Sequence, residues 1–73
     1  MSTLDHLVVG KEAIIEEIFC TGSMRRRLLD IGLTPGSKIN CVGISPCGDP
    51  KAFLIRGAVI ALRNEDSSKI RIG

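Results

Sequence analysis

Three consecutive arginines are the residues of this sequence best suited to contact another molecule. Arg25, Arg26 and Arg27 stand directly before an apolar segment, and two chain-stopping signals follow shortly afterwards. A guanidinium group binds carboxylates and phosphates through several N–H donors held in one plane. The triplet therefore predicts a basic face that suits an acidic protein surface or anionic lipid headgroups. The alternative is a solvated face that only keeps the chain soluble.

The cysteines and the single histidine are the other candidates for chemistry. Cys20, Cys41 and Cys47 form no CxxC pair, and their odd number fits a reducing compartment better than a disulfide framework. Each is predicted to pack as a small apolar side chain. Cys41 and Cys47 could share a soft metal ion with His6, but the spacing is not that of a zinc site. We therefore expect no dedicated metal site and no cofactor, with any transition-metal binding by His6 together with Asp5 or a cysteine being adventitious. Without a nucleophile and base in a recognisable pattern, we also expect no enzyme.

Composition narrows the class of protein. The 73 residues predict one domain over residues 1–73, with 44% apolar residues and a net charge of +2. Neither Trp nor Tyr is present, and so small a charge with only Phe19 and Phe53 for stacking argues against nucleic-acid binding. Asp5 interrupts the amino-terminal region and apolar runs reach only about five residues, far short of a bilayer span. A cytoplasmic protein without membrane insertion is expected.

A helix over about residues 23–31 must position the arginines. Thr21 and Ser23 are both candidates for the capping residue, because a hydroxyl can accept a hydrogen bond from the first turn. Apolar residues recur at helical spacing and predict one buried stripe, formed by Met24, Leu28 and Ile31, with Leu29 beside it. Arg25 and Arg26 should then point outward.

The helix exit is predicted to be rigid. Gly32 stands where a helix ending at Ile31 needs a positive φ, and Leu33 should pack back on the last turn as in a Schellman cap. Pro35 and Gly36 fit the two central positions of a type II turn. The chain is thereby directed into the next strand.

Alternating or continuous apolar runs predict five short strands, at residues 11–19, 37–44, 51–56, 58–63 and 69–72. For residues 11–19 a helix remains open, although the β-branched residues favour a strand. The continuous run at 58–63 suits a strand covered on both faces, and residues 64–68 a single tight helical turn. Five strands and one inserted helix predict a mainly β, partly closed SH3-like barrel. Without Trp or Tyr, it should not bind polyproline.

Two aspartates need partners. Asp30 lies in the last turn of the predicted helix, where its charge opposes the helix dipole, and Arg26 and Arg27 are the local candidates to compensate it. Asp49 is predicted to bond backbone amides of its own turn. Neither is interpreted as catalytic.

Four segments together resemble the FeoA family of ferrous iron transport accessory proteins. They are RLLDIGLTPG from Arg27, PCGDP from Pro46, IRG from Ile55 and ALR from Ala61. The likeness covers essentially the whole chain, and the order and spacing of the segments make it specific. Its motif positions in this sequence are Leu28, Asp30, Gly32, Leu33, Pro35, Gly36, Pro46, Gly48, Asp49, Pro50, Gly57 and Leu62. Cys47 replaces a common leucine and Cys41 an aliphatic residue.

The resemblance implies a partner rather than a reaction. FeoA-like proteins have an SH3-like barrel with an inserted helix and are cytosolic companions of FeoB, a membrane Fe(II) transporter with a cytoplasmic GTP-binding domain. Residues expected to contact that cytoplasmic part are Arg25, Arg26, Arg27, Arg56 and Arg63, although the last two could instead brace the barrel rim. Two alternatives stay open: a GTPase activator that supplies one arginine in trans, and a metal-binding or metal-sensing module related to the C-terminal domain of DtxR-type repressors.

Overall fold

The computed structural model describes residues 2–73 and shows a mainly β architecture with one longer helix. In chain order the elements are β1 (Ser2–Thr3), a 3₁₀ turn (Leu4–His6), β2 (Glu12–Ile18), α1 (Gly22–Asp30), β3 (Lys38–Ile44), β4 (Lys51–Ile55), β5 (Ala58–Leu62), α2 (Asn64–Ser67) and β6 (Ile70–Ile72). All strand pairs are antiparallel, in the spatial order β1-β6-β2-β3-β4-β5. The predicted helix after the first long strand is confirmed, with bounds one residue earlier than expected.

Strand β2 bends from one part of the sheet to the other. Its first half pairs with β3 and its second half with β6, and the register shifts between Ile15 and Glu17. This bulge lets Ala13, Ile15 and Ile18 all face the core although their spacing is not a strict alternation. It explains why neither alternating face of this segment is purely apolar in the sequence. The strand prediction is confirmed and the helix alternative is wrong.

The expected count of five strands is too low by one. Strand β1 pairs with β6 through Ser2 opposite Ile72 and Thr3 opposite Arg71. A two-residue strand shows no alternation, so the sequence carried no pattern from which to predict it. Helix α1 has nine residues and α2 four, and no helix within residues 2–73 is long and apolar enough to cross a membrane.

The core lies between the two halves of the sheet and beneath α1. Phe53 is fully buried at its centre, and helix α1 contributes Leu28. The other buried apolar side chains come from every strand except β1 and from the connecting segments: Leu4, Leu7, Ala13, Ile15, Ile18, Cys20, Leu33, Ile39, Cys41, Ile55, Leu62, Ile70 and Ile72. Met24 and Ile31 pack against this cluster as the helical stripe predicted.

Strand β5 differs from its prediction. Its continuous apolar run suggested a strand covered on both faces, but Ala58, Val59 and Ala61 are exposed. The strand forms the edge of the sheet, and the exposure of Val59 and Ala61 shows that the described residues leave its outer face uncovered. The error arose because a short apolar run cannot distinguish a buried strand from an apolar edge.

Candidate functional site

Helix α1 presents its arginines unequally. With 3.6 residues per turn, burial of Leu28 and partial burial of Met24 place Arg26 on the side opposite the core. Arg25 and Arg27 lie on the two flanks, and all three side chains are exposed. Arg26 is therefore the arginine that points most directly into solvent.

The start of α1 is held by an arginine, not by a hydroxyl cap. Thr21 is the N-cap residue but its side chain makes no capping hydrogen bond, and Ser23 lies inside the helix. The expected hydroxyl cap is thus wrong. Instead, Arg25 donates from Nη1 to the carbonyl oxygen of Ile18 at 2.9 Å, which ties the helix to the end of β2. Arg25 is a bracing residue as well as an exposed cation.

The end of α1 follows the sequence-based prediction closely. Gly32 has φ +91°, and the Leu33 amide donates to the Leu28 carbonyl at 2.9 Å while the Gly32 amide donates to that of Leu29 at 3.0 Å. This pair of bonds is the Schellman cap.

The turn after the cap also has the expected geometry. Gly36 has φ +91°, and the Ser37 amide donates to the Thr34 carbonyl at 3.0 Å, as expected for the turn.

Arg56 completes the helix exit from a distant hairpin. Its Nε donates to the carbonyl oxygen of Gly32 at 3.0 Å and its Nη2 to Ser37 Oγ at 3.2 Å. Arg56 and Gly57 form the two-residue turn between β4 and β5, with φ of 48° and 82°, so a non-glycine residue occupies the left-handed region there. Of the two roles left open for Arg56, its contacts favour bracing.

The outer face of α1 combines charge with apolar surface. Gly22, Arg25, Arg26, Leu29 and Asp30 line a shallow surface depression of about 290 Å³. The expected ion pairs between Asp30 and the arginines of α1 do not form in the described part of the chain. The guanidinium of Arg26 is thus available beside Leu29, which is 36% exposed. Such a face can receive a carboxylate next to an apolar side chain.

The SPCGDP loop is anchored by its aspartate. Asp49 Oδ1 accepts a hydrogen bond from the amide of Asn64 at 2.9 Å, at the start of α2, and Asn64 Nδ2 donates to the Gly48 carbonyl at 3.3 Å. The prediction that Asp49 bonds its own turn is therefore wrong, since the sequence alone did not place α2 beside this loop. Arg63, at the N-cap of α2, is exposed.

The metal-binding candidates do not come together. Cys20 and Cys41 are buried, whereas Cys47 is exposed. Burial raises the pKa of the Cys20 thiol above its ordinary value, and the Asp66 carboxylate adds to the increase. His6 Nε2 lies 3.6 Å from Asp5 Oδ2. Across residues 2–73, no three His, Cys, Asp or Glu side chains are grouped in a way that could hold a metal ion.

Comparison with known proteins identifies the family of this chain. The model of the FeoA domain matches residues 2–72. The chain belongs to the FeoA family. A relative from Porphyromonas gingivalis, an Fe(2+) transport protein A/Fe(2+) transporter FeoB fusion protein, is 33% identical over 69 residues. That match covers 94% of this chain but only 8% of the relative, so the chain spans a small part of that protein's length.

Solved structures show the same fold. Iron(II) transport protein A from Clostridium thermocellum is 31% identical, with a TM-score of 0.90 over 97% of this chain and 44% of that one. FeoA from Stenotrophomonas maltophilia, solved with zinc and described as an SH3 domain protein, is 22% identical with a TM-score of 0.87, covering 100% of this chain and 91% of that one. The predicted SH3-like fold and the FeoA resemblance are confirmed. The relatives that carry this domain are named as iron(II) transport proteins.

Proposed function

We propose that this FeoA domain docks, through the outer face of α1, on the cytoplasmic part of a FeoB-type ferrous iron transporter and alters its assembly or gating. The observation that carries the proposal is the exposed Arg26, held opposite the core by a helix fixed at both ends. The fused relative supports the choice of partner, because a FeoA-type segment and a FeoB transporter share one polypeptide there. The chain acts as a binding module and not as an enzyme, and needs no bound cofactor.

The rigidity of α1 supports a docking role. Arg25 joins the first turn to β2, and Arg56 with the Schellman cap fixes the last turn. A face held in this way loses little conformational freedom when a partner binds. Exposed cations chiefly raise the association rate and set orientation, and their contribution weakens as salt screens them.

Titration of the chain with the isolated cytoplasmic domain of the transporter tests the proposal. A fluorophore on the exposed Cys47 reports binding, in GDP and in a slowly hydrolysed GTP analogue. We expect Arg26→Glu combined with Arg27→Glu to lower the affinity by about tenfold or more at low salt. Arg25 is left unchanged because its bond to Ile18 supports the fold.

Lys11→Glu combined with Lys69→Glu is the matched control. It changes the net charge by the same amount at two exposed positions outside α1, and should leave the affinity close to that of the unsubstituted chain. If the two double variants bind equally well across a salt series, the α1 face is not the docking surface. A large rise in GTP hydrolysis that is lost with one arginine would instead favour the activator, and stoichiometric Fe(II) binding by the chain alone would favour the metal-sensing module.

A further inference from the structure

The edge strand β5 offers unpaired backbone groups beside exposed apolar side chains. The closing pair of the β4–β5 hairpin is Ile55 with Ala58, which exchange hydrogen bonds across the two-residue turn. Hydrogen-bonded pairs then alternate along the hairpin, so Ala58, Ile60 and Leu62 bond to β4. The N–H and C=O groups of Val59 and Ala61 point away from the sheet.

Side chains on the outer face of this hairpin form a continuous apolar surface. Val59 is opposite Leu54 and Ala61 opposite Ala52 in the register. Val59 is 65% exposed, the largest exposed fraction among the large apolar side chains of residues 2–73. Proteins usually protect such an edge with a charge, a proline or a covering segment. Residues 58–62 contain neither charge nor proline.

A single cation stands at one end of this surface. Arg63 continues the alternation with Val59 and Ala61, because its backbone is still extended at φ −72° and ψ 151°. Its side chain is exposed and makes no hydrogen bond or ion pair within the described residues. No carboxylate lies on the outer face of β4 or β5, whose outward residues are Ala52, Leu54, Val59 and Ala61. The charge that would complement this edge is therefore negative.

We propose that β5 binds an extended, acidic segment of another protein as an added strand. Main-chain hydrogen bonds to Val59 and Ala61 supply the pairing, apolar side chains of the segment cover Leu54 and Val59, and a carboxylate meets Arg63. This surface is separate from α1, and the inference does not depend on the function proposed for the helix.

A second copy of the chain fits the edge less well. Twofold antiparallel pairing of β5 with β5 would join the free groups of Val59 in one copy to those of Ala61 in the other. Arg63 would then lie opposite Gly57 of the second copy and beside its Arg56. This register brings cations together and supplies no carboxylate to Arg63.

Hydrogen exchange with a defined peptide tests the proposal. The probe is a blocked nine-residue peptide of alternating threonine and valine with one glutamate, prepared with the glutamate near either end, and the control peptide has lysine in its place. In the free chain the amides of Val59 and Ala61 should exchange much faster than those of Ala58, Ile60 and Leu62. The glutamate peptide should slow exchange at Val59 and Ala61 by about tenfold or more, and the lysine peptide should bind more weakly.

Two variants separate this inference from a general affinity for peptides. Ala61→Pro removes an amide that points away from the sheet, a position where an edge strand tolerates proline, and should abolish the protection of the remaining Val59 amide. Arg63→Glu disturbs no side-chain contact and should reverse the preference, so that the lysine peptide binds better than the glutamate peptide. This second variant keeps the test valid if Ala61→Pro does not fold.

Three results would overturn the inference. They are absence of protection with either peptide, protection confined to α1, and protection of Val59 and Ala61 that appears without peptide as the protein concentration rises. The last result would assign the edge to a second copy. None of them bears on the titration with the transporter domain, so the two proposals can fail separately.

Discussion

The helix exit (residues 32–37) and the β5 edge (residues 58–62) both adjoin the Arg56–Gly57 turn. Polar groups at the exit form hydrogen bonds within the protein, whereas the outward backbone groups of β5 do not. At the exit, the carbonyl of Gly32 and the hydroxyl of Ser37 both receive hydrogen bonds from Arg56. Along β5, the backbone N–H and C=O groups of Val59 and Ala61 point away from β4, and no strand lies on that outward side. The same turn therefore has an intramolecular hydrogen-bond network on one side and an open strand edge on the other.

The helix exit should therefore contribute mainly to stability, and the β5 edge mainly to binding. Loss of Arg56 would remove two donors from the exit, although the Gly32 carbonyl would still accept from the Thr34 amide and Ser37 Oγ, and each lost hydrogen bond lowers stability. An open edge contributes little to the fold and leaves its groups free for another molecule. Substitutions at the helix exit should therefore lower the free energy of unfolding, whereas substitutions at the β5 edge should change it little.

The largest effect is expected at Gly32. A Cβ atom there would collide with Arg56 Cδ, and the backbone has φ +91°. Gly32→Val combines backbone strain with loss of the Arg56 contacts and should lower the free energy of unfolding by about 3 kcal/mol. Urea denaturation measures it.

Gly36→Val is the matched control. Gly36 has the same φ, but a Cβ at this position would meet nothing within 4 Å. Its cost should come from backbone strain alone, about 1 to 2 kcal/mol. Equal losses for the two variants would show that Arg56 does not restrict the space at Gly32.

Arg56→Ala should have the next largest effect, about 1.5 kcal/mol, because two hydrogen bonds to Gly32 and Ser37 are lost. The double variant Gly32→Val with Arg56→Ala sharpens the comparison. Part of the valine penalty should disappear once the arginine side chain is absent, so the two losses should sum to less than the separate values. Strict additivity in urea denaturation would mean that the residues do not interact.

Local rules explain why the exit could be predicted from the sequence. The positive φ of Gly32, the Schellman bonds to Leu33 and the turn at Pro35-Gly36 each depend on a few adjacent residues. The same is true of the apolar stripe of α1, whose period needs no knowledge of the rest of the fold. The type of each of these features could therefore be predicted, and the predicted helix bounds lie within one residue of those observed.

Contacts between distant segments could not be predicted in the same way. Arg56 reaches Gly32 across 24 positions and Asp49 reaches Asn64 across 15. Neither local sequence specifies the partner residue, because both contacts depend on which segments become neighbours in the fold. The exposure of β5 could not be predicted for the same reason, because the order of the strands decides whether a strand lies at the edge or in the centre of the sheet. The apolar face of β5 was missed for this reason, although its lack of charge and proline is visible in the sequence.

Asp49→Ala tests a long-range contact next to the β5 edge. The variant leaves the Asn64 amide at the start of α2 without its acceptor, and should cost about 1 kcal/mol. Asp49→Asn retains an acceptor oxygen in the same place and should lose much less. Equal thermal midpoints for the alanine and asparagine variants would indicate that this hydrogen bond does not stabilise α2.

A smaller effect, dependent on pH, is expected where β2 leads into α1. Burial raises the pKa of the Cys20 thiol in the folded state, so the unfolded chain loses this proton first as the pH rises. Cys20 therefore contributes stability that is present below the unfolded thiol pKa of about 8.5 and declines above it. The denaturation midpoint from pH 7 to 10 should fall more steeply for the unsubstituted chain than for Cys20→Ala. Parallel curves would contradict the assignment.

The smallest effect on stability is expected at the β5 edge itself. Val59→Thr keeps a β-branched residue of similar shape at a side chain that is 65% exposed, so the free energy of unfolding should change by less than about 0.5 kcal/mol. Ile60→Thr is the control on the same strand, because Ile60 packs against the core and its substitution should cost more. Both values come from urea denaturation under identical conditions. If the two variants were equally destabilised, Val59 would be covered in solution, and the contrast between a satisfied exit and an open edge would not hold. If instead only Ile60→Thr loses stability, the side chain of Val59 contributes little to the fold and its apolar surface remains free to contact a partner.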